Sequence, residues 1–332
     1  MSCNILDKIT AFDNVIIQCH NNPDADALAC ALALQLYLKR NNKNSRIVYG
    51  GHEIITKKSL RDMMKVCEIE AEYIKDPDEF VVKDTDLLVV VDAQYGAKNV
   101  AMIKAKNVAV IDHHIRTLPE SDYYYIDSSY QSCSTIMWEL LVEKGYTVSE
   151  SKQLEIALGY GLYIDTSCFA DLHNKKDLLM RTELKEDYPE LLSLKKSNMN
   201  MSELMVAADA IYNHFMDFDR KYVIVSALKC SPSILGIIGD FIIQVDTVHL
   251  TFTYTDVDTG YQFSIRTCEE KYHADEIAAT ISDGIGGGGG HRNKAGGTLA
   301  QAYIDEKYPG WDIHDIIVSR LNSYIDNLDK DE

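Results

Sequence analysis

Three apolar, largely β-branched runs each end on a residue able to bind a proton or a metal, and this restricts the fold more than any other feature of the chain. Residues 14–19 lead into His20, residues 86–91 into Asp92, and residues 107–111 into Asp112. Runs without polar alternation read as strands buried on both faces. They alternate with helical patterns at 26–40, 132–144 and 151–163. The expected fold class is therefore α/β: an N-terminal, mostly parallel sheet with flanking helices. In such sheets ligands sit beyond the carboxyl ends of the strands, where His20, Asp92 and Asp112 stand.

At 332 residues the chain is too long for one ordinary core, so a second domain is expected. The pattern weakens around 194–200, which places a metal-binding domain at 1–195, a connecting helix or linker at 196–220 and a smaller mixed-sheet α/β domain at 221–332. Strands are expected there at 222–228, 248–255 and 261–267, and helices at 274–282 and 311–327. The only low-complexity segment is the glycine run 286–290.

The balance of 33 basic against 51 acidic side chains gives a net charge of −18, which opposes a general electrostatic footprint on duplex DNA. A phosphate ligand must then be held locally, by metal cations or a few basic side chains, and this favours a short substrate. The eight cysteines include no CxxC pair, so neither a zinc ribbon nor a disulfide framework is expected. The N-terminus lacks the form of a signal peptide and no apolar stretch is long enough to span a bilayer, so the chain reads as cytoplasmic, without a membrane partner.

Four elements carry the chemistry. His20, Asp24 and Asp26 fall within seven residues at a strand end, after which Pro23 delays the helix. Asp24 and Asp26 diverge and can address two different ions, although an ordinary turn with Asp26 as helix N-cap fits equally. Asp92 is an acid ending a buried strand, which is costly unless it is paired or metal-bound; it can also cap a turn. In Asp112-His113-His114 the adjacent histidines point in different directions. Asp165 follows a helix and can begin a turn with Thr166. Each has a bland reading alone, but all four occur in one half of one chain, each at an element end.

Together, His20-x-x-Pro23-Asp24-x-Asp26-Ala27, Asp92, Asp112-His113-His114 and Gly161-Leu-Tyr-Ile-Asp165-Thr166 resemble the four motifs of the DHH phosphoesterase superfamily. Gly286–Gly290 with His291-Arg292-Asn293-Lys294-Ala295-Gly296-Gly297 resembles the glycine-rich signature of its RecJ-like, DHH-associated C-terminal domain. The layout is similar to the nano-RNase/pAp-phosphatase branch. This resemblance implies an active site in the interdomain cleft, with His20, Asp24 and Asp92 on one metal. Asp26, Asp92, His113 and Asp165 would hold the second, and His114 would face the scissile phosphate. Oxygen and imidazole donors without thiolate suit Mn(II), two per chain, with Mg(II) or Co(II) as lesser fits.

The resemblance also places Arg266 and the loop Gly287, Gly288, Gly289, Gly290 and His291 on the substrate. Arg266 would serve as a bidentate donor and the glycines would admit phosphate to the backbone. The plainer reading of the glycines is a flexible linker. Implied substrates are short single-stranded RNA, linear dinucleotides and 3′-phosphoadenosine 5′-phosphate, and the implied assembly is a homodimer. Two departures bear on substrate preference. Leu28, Ala29 and Cys30 stand where a Gly-Ser type pair is usual, and Lys294 replaces a small residue. Arg116 can touch phosphate or face solvent, and His52 is left structural. The rivals are an inorganic pyrophosphatase or exopolyphosphatase, and a non-catalytic nucleotide sensor. A Rossmann cofactor enzyme fails for want of GxGxxG after the first strand.

Overall fold

The computed structural model describes residues 5–51, 54–196 and 199–331, so His52 lies outside the described residues. The chain divides into two compact units, Met1–Asn198 and Met199–Glu332. In chain order the first contains α1 (Ile5–Thr10), β1 (Asn14–Gln18), α2 (Ala25–Arg40), β2 (Asn44–Tyr49), α3 (Lys58–Cys67) and β3 (Ala71–Tyr73). Then come β4 (Leu87–Val91), β5 (Asn107–Asp112), β6 (Tyr124–Ile126), α4 (Cys133–Glu143), α5 (Lys152–Asp165), α6 (Lys175–Glu183) and α7 (Pro189–Lys195).

The six strands form one sheet in the order β3-β2-β1-β4-β5-β6, and every neighbouring pair is parallel. All five residues of β4 are buried, the consequence of a strand covered on both faces. The order reverses between β1 and β4: the chain moves outward one way through β2 and β3, then the other way through β5 and β6. A crevice opens at such a switch point, beyond the carboxyl ends of the two central strands. His20 follows β1, and Asp92 follows β4 immediately.

Helix α2 is apolar on nearly every side, as a helix enclosed by protein must be. Its alanines at 25, 27, 29, 31 and 33 keep it thin, and it packs against α4 and α5. Cys19, Cys30, Cys67 and Cys133 are buried as free thiols, and no disulfide forms among the described cysteines. Among the described residues, no helix is long and apolar enough to cross a membrane.

The second unit contains α8 (Met201–Tyr212), β7 (Phe215–Asp217), β8 (Tyr222–Ala227), α9 (Pro232–Ile242), β9 (Leu250–Val257) and β10 (Gly260–Thr267). It continues with α10 (Ala274–Ser282), β11 (Gly286–Gly290), β12 (Lys294–Ala300), α11 (Gln301–Lys307) and α12 (Ile313–Asp331). The sheet order is β11-β12-β10-β9-β8-β7, with β8 and β9 parallel and the other pairs antiparallel. Helix α8 packs Ala207 and Ala210 into a core formed with β8 and α9.

The glycine run is neither a loop nor a linker. Gly286–Gly290 is an edge strand paired with β12, and its composition follows from space. A Cβ on Gly288 would stand 2.9 Å from Ala278 O of α10 and 2.9 Å from Phe263 Cζ. One on Gly297 opposite would stand 2.7 Å from Gly288 Cα and 2.7 Å from the same ring atom. The glycines thus make room for the Phe263 ring and for α10. Gly289, by contrast, faces open space. Gly288→Ala is therefore expected to destabilise the second unit by about 1–3 kcal/mol, while Gly289→Ala stays within about 0.5 kcal/mol. Thermal unfolding of the two variants checks this; equal effects would mean that the run behaves as a linker.

Candidate metal centre

Each side chain at the switch point is delivered by the end of an element. Asp24 is the N-cap of α2; its Oδ1 accepts from Asp26 N at 2.9 Å and Ala27 N at 3.1 Å. Asp24, not Asp26, thus takes the capping role. Asp26 lies in the first turn and reaches across to the N-terminus of α4. There it accepts from Cys133 N at 2.6 Å and Ser134 N at 2.9 Å, groups that have no partner within their own helix. Asp165 is the last residue of α5. This crossing of α2, α4 and α5 requires Gly161: a Cβ there would stand 2.8 Å from Asp26 Oδ1 and 3.1 Å from Asp26 Cα, besides meeting Ser134 Oγ.

The imidazoles are oriented through Nδ1. His20 Nδ1 lies 3.0 Å from Asn21 O, and His113 Nδ1 lies 3.3 Å from Tyr130 O. A carbonyl only accepts, so each Nδ1 carries the proton and Nε2 is left to face the cluster. His20 Nε2 is 3.8 Å from Asp24 Oδ1 and 3.7 Å from Asp92 Oδ2. His113 Nε2 is 3.3 Å from both Asp92 Oδ1 and Asp165 Oδ2. His114 Nδ1 is 2.7 Å from Asp112 Oδ1. Asp112, buried completely, thus orients the second histidine of the pair.

Two sets of donor atoms result, each within 4.8 Å of one another: His20, Asp24 and Asp92, and Asp26, Asp92, His113 and Asp165. Asp92 belongs to both. Burial, then Asp165 and Asp92, hold the Asp26 carboxyl well above the usual range. Burial also pushes Asp92 up, to about 6, with His113 opposing and Asp24 adding to the rise. Burial alone would lower the His20 imidazole, but Asp24 and Asp92 outweigh it and hold the ring up at about 10. The His113 imidazole is likewise raised by Asp165 and Asp92 against its burial. The folded chain therefore favours extra positive charge at this point. A divalent cation fits these residues: the donors are carboxylate and imidazole, and Asp92 Oδ1 is buried without a hydrogen bond.

Backbone strain borders the cluster. Asp92 has φ +57°, and after Asp165 three consecutive residues, Ser167, Cys168 and Phe169, have φ +50°, +60° and +69°. Left-handed backbone costs an ordinary residue roughly 1–2 kcal/mol and persists only where the surroundings hold it. The Phe169 ring is held between Arg181 Cζ at 4.0 Å and Lys195 Nζ at 4.8 Å. Glu186 binds both cations.

Arg116 holds the end of β6, its Nη2 donating to Ile126 O at 3.3 Å. In the second unit Arg266 is committed to its own surroundings. Nε pairs with Asp240 Oδ1 at 2.5 Å, and Nη1 donates to Ser264 Oγ and Ile265 O. Nη2 lies where a Cβ on Gly236 would be 2.6 Å away. Nε and Nη1 are thus taken up within the second unit, a geometry that sequence spacing could not anticipate. Lys294 stands directly opposite Arg266 in the β10–β12 register. Gly287, Gly288, Gly289 and Gly290 lie on the edge strand, and His291 follows, its N–H donating to Lys294 O at 2.7 Å. Sequence reasoning missed Gln94, whose amide binds Asp112; its partners lie 18 or more residues away and leave no local signal.

Two family models match the chain: the DHH family, N-terminal domain, over residues 14–161, and the DHHA1 domain over residues 220–310. The chain belongs to the DHH superfamily, carrying both its N-terminal domain and a DHHA1 domain. Two uncharacterized proteins of Methanocaldococcus jannaschii are each 24% identical to it, over 85% and 87% of this chain. The chain spans 57% of the first relative's length and 87% of the second's.

Among solved structures, an exopolyphosphatase-related protein from Bacteroides fragilis superposes with a TM-score of 0.76 at 17% identity, covering 98% of this chain and 97% of that one. RecJ in complex with Mn2+ from Thermus thermophilus gives 0.55 at 14% identity, covering 97% of this chain and 54% of that one. At these identities the likeness is one of fold.

The charge balance gives a test with a definite sign. With its folded-state value raised from 3.8 to about 6, Asp92 costs the metal-free fold nothing below the unfolded value, and the full penalty appears once pH exceeds the folded value. Asp92→Asn is expected to raise the metal-free Tm at about pH 8 and to leave it unchanged below about pH 4. The same substitution is expected to remove the rise in Tm that Mn(II) gives the parent protein. Thermal melts with EDTA and with Mn(II) across this range check both.

Proposed function

We propose that this chain is a two-metal phosphoesterase, with Mn(II) as its natural cation, that hydrolyses short oligonucleotides, linear dinucleotides or 3′-phosphoadenosine 5′-phosphate. The observation that carries the reading is Asp92, shared between two complete donor sets at a topological switch point. His20, Asp24 and Asp92 hold one cation; Asp26, Asp92, His113 and Asp165 hold the other. Divalent cations bound by these residues would supply neutralisation of charge on the phosphoryl oxygens and a lowered pKa for an attacking water.

The chain's own groups do the remainder. His20 and His113 present Nε2 because backbone carbonyls hold their Nδ1 protons. Asp26 and Asp165 are fixed by helix ends, so the donors need little reorganisation when a substrate arrives. His114, with Nδ1 bound to Asp112, presents Nε2 to a phosphoryl oxygen. In the second unit, the edge strand Gly287–Gly290 with its backbone N–H groups, together with His291 and Arg266, is the substrate-binding surface of this reading. The net charge of −18 disfavours long polyanions and supports a short substrate. Free thiols throughout the described chain suit action in the cytoplasm.

Polyphosphate hydrolysis is the enzymatic rival, since the Bacteroides fragilis protein of similar fold is described as exopolyphosphatase-related. A nucleotide sensor is disfavoured because no member of either donor set is missing. The deciding assay is hydrolysis, with Mn(II) and with EDTA, of a 5′-labelled RNA trimer, pApA, 3′-phosphoadenosine 5′-phosphate, pyrophosphate and polyphosphate. Metal-dependent turnover of the first three alone is expected, and Asp92→Ala is expected to abolish it, since both donor sets lose a member. Turnover of the inorganic substrates alone would transfer the protein to the rival reading.

A further inference from the structure

Gln94 stands two residues beyond Asp92 and is buried, 5% exposed. Both ends of its amide are engaged. Nε2 donates to Asp112 Oδ2 at 2.8 Å and to Ile115 O at 3.0 Å. Oε1 accepts from Thr117 N at 2.7 Å, Thr117 Oγ1 at 2.8 Å and Leu118 N at 3.2 Å. One side chain thus fastens the end of β4 to the segment that follows the histidine pair. Asp112 continues the line. With one oxygen held by Gln94, it uses the other to bind His114 Nδ1 at 2.7 Å.

A carboxylate held at one oxygen cannot rotate without breaking that bond, so Gln94 fixes the plane in which Asp112 meets the imidazole. We infer that Gln94 is a positioning residue for His114: through Asp112 it sets the direction of Nε2 toward the reacting phosphoryl group. This inference rests on the role given to His114 under Proposed function. The competing role is plain loop anchoring, through Oε1 and through the Nε2 bond to Ile115 O, and the state of the His114 Nδ1 proton separates it from positioning. Gln94→Glu keeps an oxygen for Thr117 and Leu118 but sets a carboxylate oxygen against Asp112 in place of the donor. Gln94→Leu loses both ends.

The test has a readout independent of turnover. In the Mg(II)-loaded full chain labelled with 15N-histidine, the His114 Nδ1 proton is expected as a downfield resonance, because it is bonded to a carboxylate at short distance. Positioning predicts that Gln94→Glu, in protein that remains folded, loses or strongly broadens this resonance. It also predicts that kcat falls about 10–100-fold, the usual effect of removing an outer-shell partner, with KM little changed. In a His114→Ala background Gln94→Glu should then cost nothing further, since groups acting as one unit are not additive. A Gln94→Glu protein with the parent resonance and parent kcat would overturn the inference, as would an equal further loss in the His114→Ala background. If Gln94→Leu does not fold, Gln94→Glu alone decides, because it keeps the Oε1 contacts to Thr117 and Leu118. If the parent turns over no substrate, the proposed function fails, but the His114 resonance still decides whether Gln94 orients the ring.

Discussion

Four carboxylates and two imidazoles meet where β1 and β4 part company, and the first unit is arranged to keep them together against their own repulsion. Asp92 sits at the centre, within the reach of both donor sets and with one oxygen lacking a hydrogen bond. Burial and neighbouring charge raise Asp26 and Asp92, and the neighbouring carboxylates hold the His20 and His113 rings protonated against their burial. Without bound metal the chain therefore retains protons at this point. Divalent cations would replace those protons, so metal binding and proton release are coupled.

Holding such a cluster needs supports that do not themselves touch a ligand. The N-terminus of α4 supplies N–H groups to Asp26, and that terminus is held from behind. Asp177 of α6, fully buried, accepts from Thr135 Oγ1 at 2.5 Å and Gln131 N at 3.0 Å. Gly161 lets α5 come close enough to bring Asp165 in. The left-handed turn after Asp165 is tied to α6 and α7 through Phe169, Arg181 and Lys195. Disrupting any of these supports shifts a donor rather than deleting one. The second unit works on a different constraint, the exclusion of volume. Glycines in β11 and β12 leave room for Phe263 and α10, and as a result the outer strand presents backbone with few side chains in the way.

The apolar runs ending at His20, Asp92 and Asp112 were legible as buried parallel strands because a strand covered on both faces needs no polar alternation. Helices over α2, α4 and α5 were legible from the same contrast. Helices α3 and α9 and strand β12 were not anticipated. In α9 the glycines at 236 and 239 break the expected pattern, and they are there for Arg266 to lie against. The run at 286–290 looked like a loop, since nothing in five glycines favours a strand; its pairing with β12 and its contact with α10 are tertiary facts.

Periodicity and chemistry, both local, were enough to pick out His20, Asp24, Asp26, Asp92, Asp112, His113, His114 and Asp165 at element ends, and the resemblance to the DHH motifs chose the six implied ligands among them. What no local pattern could supply, and folding did, is that Asp24 rather than Asp26 caps α2, that Arg266 pairs with Asp240, and that Gln94 and Asp112 stand behind His114. Those outcomes depend on the reversal of strand order between β1 and β4 and on close helix crossings. They join residues tens of positions apart, and no spacing along the chain records such distances.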